Sequence, residues 1–242
     1  MLRVEFHASV PKELEQPELN EDALAIDEAA GRFAVSDGAS TAYDSRIWAN
    51  MLTARFLQSP AVNHEWVTAL IREYRASYDF DQLSWIQQSG IEQGAFATLL
   101  AAEFQPERVE LELLCVGDSL AVLVENGTAL KTFPYSHAEQ FDVDPTLLST
   151  RSDANEFITA SQFYSQHSTT WSLHNNSVVL LMTDALGKWL LEASVKDHST
   201  LQQLLTIGSE EEFKQLVMTL RETKQIKVDD TTLVRLAFGV KV

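Results

Sequence analysis

The apolar residues of this chain change their spacing repeatedly, and the order of those changes restricts the fold more than any single motif does. Residues 2 to 9 (LRVEFHAS) alternate as a strand. ALAID at 23 to 27 and RFAVSD at 32 to 37 read as two more, joined by EAAG with Gly31 at the turn. The period then becomes helical. Ile47, Trp48, Met51, Leu52, Ala54, Phe56 and Leu57 recur at helical spacing, and Trp66, Leu70, Ile71 and Tyr74 share one face of a second helix. A helix-to-strand boundary is expected near Gly90. From residue 94 strands return as GAFATLLAAEF, RVELELLCVGD and SLAVLVENGT, and Asn126-Gly127 signals a hairpin with TALKTF as its return strand. SVVLLMTD at 177 to 184 reads as a buried strand. ALGKWLLEA, a short piece near 199 to 206, and EEEFKQLVMTLRETK read as helices, and DDTTLVRLAF closes the chain as a strand. Strands, a helix pair, strands, then helices and a strand suit an α+β layered sandwich. No internal repeat or low-complexity linker divides the chain, so residues 1–242 are expected to form one domain. Residues 134–175, less regular and rich in Ser, Thr, Asp, Gln and His, suit a variable insertion or flap.

Several function classes are disfavoured by composition. The formal charge of −17 argues against a nucleic-acid partner, because phosphate contacts need clustered Lys and Arg. It also means that an anionic substrate must meet locally placed cations or metal ions. No run of about 18 apolar residues appears, so no membrane span is expected. The N-terminal MLRVEFHASVPK lacks a long apolar segment with a cleavage site, and a soluble, unprocessed, cytoplasmic protein is expected. The one cysteine, Cys115, lies in the apolar run LELLCVG and reads as a small buried side chain. It has no partner for a disulfide within the chain. There is no G-x-x-x-x-G-K, no G-x-S-x-G and no C-x-x-C. The Trp residues at 48, 66 and 85 sit in helical patterns and read as core, and Lys188 reads as a solvated charge.

The most apolar strands border on acids. Asp37 ends one strand and Asp184 another, while Asp229 opens a third. Asp118 lies in the turn VGDS, and Glu21 and Asp22 precede ALAID. An isolated Asp-Gly such as Asp37-Gly38 is ordinary turn chemistry. Carboxylates at several strand ends can instead converge on one rim, where they repel one another unless cations lie between them. Hard divalent ions such as Mg²⁺ or Mn²⁺ prefer such an all-oxygen set, with Gly38 letting a ligand approach the backbone.

NEDA (20–23), FAVSDGAS (33–40), GAFATLL (94–100), VGDSLAVLVENG (116–127), LLMTDALGKWLL (180–191) and VDDTTLV (228–234), in that order, resemble the motifs of the metal-dependent protein phosphatase 2C family. The resemblance implies a four-layer α-β-β-α sandwich, two antiparallel sheets flanked by helix pairs. It implies hydrolysis of phosphoserine and phosphothreonine on proteins by a metal-bridging hydroxide, with two core Mn²⁺ or Mg²⁺ ions and a weaker third. By the same resemblance Asp37 is the catalytic acid that bridges the core metals, and the Gly38 carbonyl is a ligand. Asp184 takes the acid's place in the family's Ser-Asp-Gly-Leu motif, with Ala185 in place of its glycine. Asp229 matches the last metal acid and is chosen over Asp230, because D-D-T-T aligns without a gap on D-N-x-T/S. Glu21 or Asp22 would hold the second metal, and Asp118 with Asp184 the third. The implied partners are a phosphoprotein substrate and a Ser/Thr kinase.

The chain also departs from the family. Pro17 stands where many members carry a phosphate-gripping Arg, with Lys12 and Arg46 as candidate substitutes, and Ala39 stands where some carry His. His137, His167 and His174 have no metal-ligand spacing and read as surface residues. The alternative function is a pseudophosphatase that keeps the fold and acts as a binding or regulatory module.

Overall fold

A computed structural model describes residues 2–194 and 199–239. From the N-terminus, β1 (Leu2–Val10), β2 (Ala23–Asp27) and β3 (Arg32–Ser36) precede α1 (Ser45–Gln58), α2 (His64–Ala76) and α3 (Trp85–Gln93). Strands β4 (Phe96–Ala97), β5 (Leu99–Gln105), β6 (Glu110–Val116), β7 (Leu120–Glu125) and β8 (Thr128–Phe133) follow. The chain continues through β9 (Leu148–Ser149), α4 (Phe163–His167), β10 (Ser168–Ser172) and β11 (Ser177–Met182). Helices α5 (Asp184–Ser194), α6 (Ser199–Thr206) and α7 (Glu210–Glu222) lead to β12 (Thr231–Phe238).

Alternation along the strands builds the layers. In β3, Phe33 and Val35 pack between the sheets while Ala34 faces the α1 side. Among the described residues two five-stranded antiparallel sheets form, ordered β1-β12-β11-β7-β8 and β10-β6-β5-β3-β2. Their inner faces share a core that includes Phe33, Val35, Leu100, Leu113, Leu123, Leu181 and Val234. A second core lies between the β3-containing sheet and α1 and α2, around Trp48, Leu52, Leu70 and Tyr74. A third lies between the β12-containing sheet and α5, α6 and α7, around Leu180, Leu186, Phe213 and Val217. Each large side chain so buried stabilises the fold by about 1.5–3 kcal/mol before entropy is counted. The fold is therefore the four-layer α-β-β-α sandwich.

Local chemistry sets the ends of the elements. The Asn63 side chain accepts the Trp66 N–H at the start of α2, and Ser209 accepts the Glu212 N–H at the start of α7. Asn126 and Gly127, at φ 52° and 75°, turn β7 into β8 as the hairpin signal requires.

Three expectations change. Gly90 lies inside α3, where a Cβ would come within 2.8 Å of the Tyr43 ring, and the helix ends instead at Gly94, φ 89°. Trp85 is 75% exposed rather than core, because it opens a short helix that buries only Ile91. The segment 134–175 is more than a surface flap. Its β10 pairs with β6 at a sheet edge, and Leu148, Ile158, Phe163 and Trp171 are buried. Trp48, Trp66 and Cys115 are buried as read.

Register then places the acids. Ala23 faces Ser36, so Asp22 and Asp37 lie just beyond the same end of β2 and β3. Val10 faces Thr231 and Met182 faces Leu233, which puts the segment after β1, the start of β12 and the end of β11 on one rim. Leu99 faces Val116 and Met182 faces Leu120, which brings the β6–β7 turn with Asp118 to that rim as well. In antiparallel sheets the C-terminal end of one strand neighbours the N-terminal end of the next, so acids scattered in sequence gather at one edge.

Candidate metal centre

Asp37 is central. Its N–H donates to Thr98 Oγ1 and its carbonyl accepts the Thr98 N–H, both at 2.8 Å. These bonds hold the backbone and leave the carboxylate facing other acids. Burial first, then the charges of Asp22, Asp184, Asp229 and Asp118, push its pKa well above the ordinary carboxylate value.

Asp22 is buried, 8% exposed. Its Oδ2 accepts hydrogen bonds from Thr232 Oγ1 at 2.6 Å and Thr183 Oγ1 at 3.1 Å. Its Oδ1 is buried with no hydrogen-bond partner. Burial dominates a strong upward shift of its pKa, with Asp230 and Asp184 adding to it and the two threonines opposing it. Asp118, in the turn after Gly117, is pushed up to about 6 by burial and then by Asp184.

Asp184 opens α5, where its Oδ1 accepts the Ala185 N–H at 2.6 Å. Its Oδ2 lies 2.5 Å from Lys227 Nζ, which is also 2.9 Å from Asp229 Oδ2. Burial works against the Lys227 charge, but the two carboxylates outweigh it and raise the pKa.

Adjacent acids have separate environments. Asp230 is 1% exposed, and its Oδ1 and Oδ2 accept the backbone N–H groups of Lys12 at 2.7 Å and Glu21 at 2.8 Å. It ties the N-terminal segment to the start of β12, while Asp229 faces the rim. Glu21 and Asp22 divide likewise. The Glu21 side chain accepts from Lys12 Nζ and from Ser45 Oγ, the latter at 2.6 Å, and its backbone carbonyl accepts the Gly38 N–H at 3.2 Å. A Cβ on Gly38 would stand 2.9 Å from the Ser45 carbonyl carbon and 3.0 Å from Glu21 O, so only glycine fits this approach.

Asp22, Asp37, Asp118, Asp184 and Asp229 are thus brought within electrostatic reach of one another, whereas Glu21 and Asp230 have their oxygens engaged elsewhere. Lys12 reaches Ser40 Oγ at 2.7 Å as well as Glu21, and Lys188 pairs with Asp142 at 2.5 Å rather than standing free. His174 pairs with Glu125 at 2.9 Å, and His167 bonds the Cys115 carbonyl at 3.0 Å. Motif reading missed Lys227, Thr183, Thr232, Thr98 and Arg221. Arg221 donates to the carbonyls of Val10, Pro11 and Asp229 at 3.1, 2.9 and 2.5 Å, clamping the end of β1 to the start of β12. The one available signal was Lys227 itself, two residues before Asp229 in KVDD, where side chains of an extended segment share a face.

This donor set suits a hard divalent cation. The atoms are carboxylate oxygens, the charges of the neighbouring acids add to the upward pKa shifts of Asp22, Asp37 and Asp118, and Asp22 Oδ1 is an orphaned buried acceptor that a cation would satisfy. Among the described residues, no group of three or more His, Cys, Asp or Glu side chains is set to hold one ion as it stands. The Lys227 ammonium instead spans two of the acids.

Asp118 carries a pH prediction for the protein in EDTA. Its pKa moves from 3.8 to about 6 on folding, so between those values the folded state keeps a proton that the unfolded chain has released. The stability from that proton is complete below the unfolded pKa and is lost as pH rises through the folded one. Denaturant titrations should show the wild type losing about 2 kcal/mol more than Asp118→Asn between about pH 4 and 6.5. Equal slopes for both proteins would refute the assignment.

The sequence profile of the protein phosphatase 2C family matches residues 12–223. No curated protein sequence matches the chain significantly. Among solved structures, the photosystem II phosphatase PBCP is similar at a TM-score of 0.62 and 17% identity, over 98% of this chain and 99% of that one. The catalytic domain of the serine/threonine phosphatase PstP, in complex with two manganese ions, is similar at 0.60 and 16%, over 99% of each chain. Stp1 from Staphylococcus aureus is similar at 0.62 and 14%, over 98% and 96%. Among the described residues no helix is long and apolar enough to cross a membrane.

Proposed function

Because the chain belongs to the protein phosphatase 2C family, we propose that it is a Mn²⁺- or Mg²⁺-dependent hydrolase of phosphoserine and phosphothreonine on proteins. The observation that carries this reading is the rim of mutually repelling carboxylates with one orphaned buried oxygen, Asp22 Oδ1. Asp22, Asp37, Asp184 and Asp229, with the Gly38 carbonyl, would hold the two core ions, and Asp118 with Asp184 a third. Divalent cations there would make water nucleophilic near neutral pH and neutralise charge on a phosphoryl group.

The chain's own residues supply the rest. Thr183 and Thr232 orient Asp22 through its Oδ2 and leave Oδ1 free. Thr98 fixes the backbone that carries Asp37. Lys12, which contacts Ser40 and Glu21, would stand in for the family's phosphate-binding Arg, where this chain has Pro17. The substrate would be the product of a Ser/Thr kinase acting in the cytoplasm. The manganese in the PstP structure favours the same metal here.

One feature favours the second reading, a pseudophosphatase serving as a binding module. Lys227 already gives two of the acids a shared positive partner. Release of inorganic phosphate from a phosphothreonine peptide, with Mn²⁺ and with EDTA, separates the two. Mn²⁺-dependent turnover supports the enzyme. A folded protein with no turnover at saturating Mn²⁺ supports the binding module.

A further inference from the structure

Lys227 has no part in the family chemistry set out above, yet its ammonium contacts two of the rim acids at once. Its Nζ lies 2.5 Å from Asp184 Oδ2 and 2.9 Å from Asp229 Oδ2. A divalent cation shared by the same two acids would need their oxygens at about 2.0–2.6 Å. An ammonium and a metal ion cannot both sit there, because their contact distances overlap and their charges repel. We propose that Lys227 is a tethered counter-ion of the Asp184–Asp229 pair, and that a divalent cation binds these acids only by displacing its ammonium group. The proposal rests on the metal-binding reading of the rim but not on catalysis.

Three observations support displacement over a permanent ion pair. The Lys227 side chain is about half exposed (53%), so its ammonium can be rehydrated at little cost, while Asp184 (12%) and Asp229 (23%) stay in place. Lys227 lies between α7 and β12, outside any regular element, where a side chain can swing without breaking a ladder. Beside it is a cavity of about 520 Å³, where Glu192 and Gln225 give the released ammonium polar partners alongside Lys224 and the Lys188–Asp142 pair. Among the described residues Lys227 is the one ion-pair partner of either acid, and Lys12 and Lys188 are held by Glu21 and Asp142. Without it the pair would face Asp37 and Asp118 uncompensated. The lysine therefore stabilises the metal-free protein and weakens metal binding by the same free energy, as linkage requires.

Calorimetric titration of Mn²⁺ into the full chain tests this directly. Lys227→Met should tighten Mn²⁺ binding by about tenfold or more, because the ion no longer competes with an ammonium group. It should also lower the melting temperature more in EDTA than in Mn²⁺. Lys227→Arg, which keeps the charge, should leave the affinity near that of the wild type, and Lys227→Gln should follow Met if the apolar variant folds poorly. Affinities for Met and Gln within about twofold of the wild type, or weaker, would overturn the proposal, and so would an absence of Mn²⁺ binding in all the proteins. Tighter binding without phosphopeptide hydrolysis would sustain it while removing the phosphatase reading. Mn²⁺-dependent hydrolysis with unchanged affinity in the variants would do the reverse.

Discussion

Asp37→Asn is expected to lower Mn²⁺-dependent hydrolysis of a phosphothreonine peptide by about a thousandfold or more, equivalent to about 4 kcal/mol of barrier. Four other rim acids act on it, Asp22, Asp184, Asp229 and Asp118. Asparagine keeps the shape but loses the charge that would hold cations between those groups. The backbone bonds to Thr98 do not involve the side chain, so the fold should survive. Stability should move the other way. Near neutral pH the metal-free protein must keep an ionised carboxylate among like charges or protonate it at a cost, and the amide removes that conflict. The melting temperature in EDTA should therefore rise while turnover collapses. A variant that keeps activity within tenfold of the wild type would sink the proposed role of Asp37.

Asp230→Ala should do the opposite to its neighbour's substitution. Both Asp230 oxygens accept partly buried backbone amides, from Lys12 and Glu21. Truncation leaves both donors unpaired and frees the segment that delivers Asp22. Two charge-assisted bonds of this kind place the loss at about 3–5 kcal/mol, or roughly 10 °C in melting temperature for a chain of this size. Asp229→Asn, which loses only a charge at the rim, should cost little stability in Mn²⁺-free buffer and most of the activity. Comparable melting temperatures for the two variants would show that the adjacent acids do not divide labour as their hydrogen bonds indicate.

Much of the fold was legible because its signals are local. The period-2 runs at 2 to 9, 23 to 27 and 32 to 37, the Asn126-Gly127 hairpin and the amphipathic α2 and α7 each depend on residues close in sequence. Gly90 misled because a glycine inside a helix can be required by a packed ring, here Tyr43, and sequence alone does not show what packs there. Trp85 misled because helical spacing does not say which face a short helix buries. The segment 134–175 looked irregular because its strands are short and polar, and only pairing with β6 makes β10 a strand.

For the candidate site, the sequence by itself determined which residues were eligible: acids at the ends of apolar strands, set in an order that matches one family. It left open Glu21 against Asp22 and separated Asp229 from Asp230 only by motif alignment, because neighbours in a chain have the same local signal. Tertiary structure decided how each differs. Asp22 lies against Thr183 and Thr232, and Asp230 takes amides from Lys12 and Glu21, all from residues distant in sequence or across a turn. It also set Lys227 between Asp184 and Asp229. Periodicity records whether a side chain faces a core, but the partner of a charge depends on distances across strands, and those exist only once the sheets have paired.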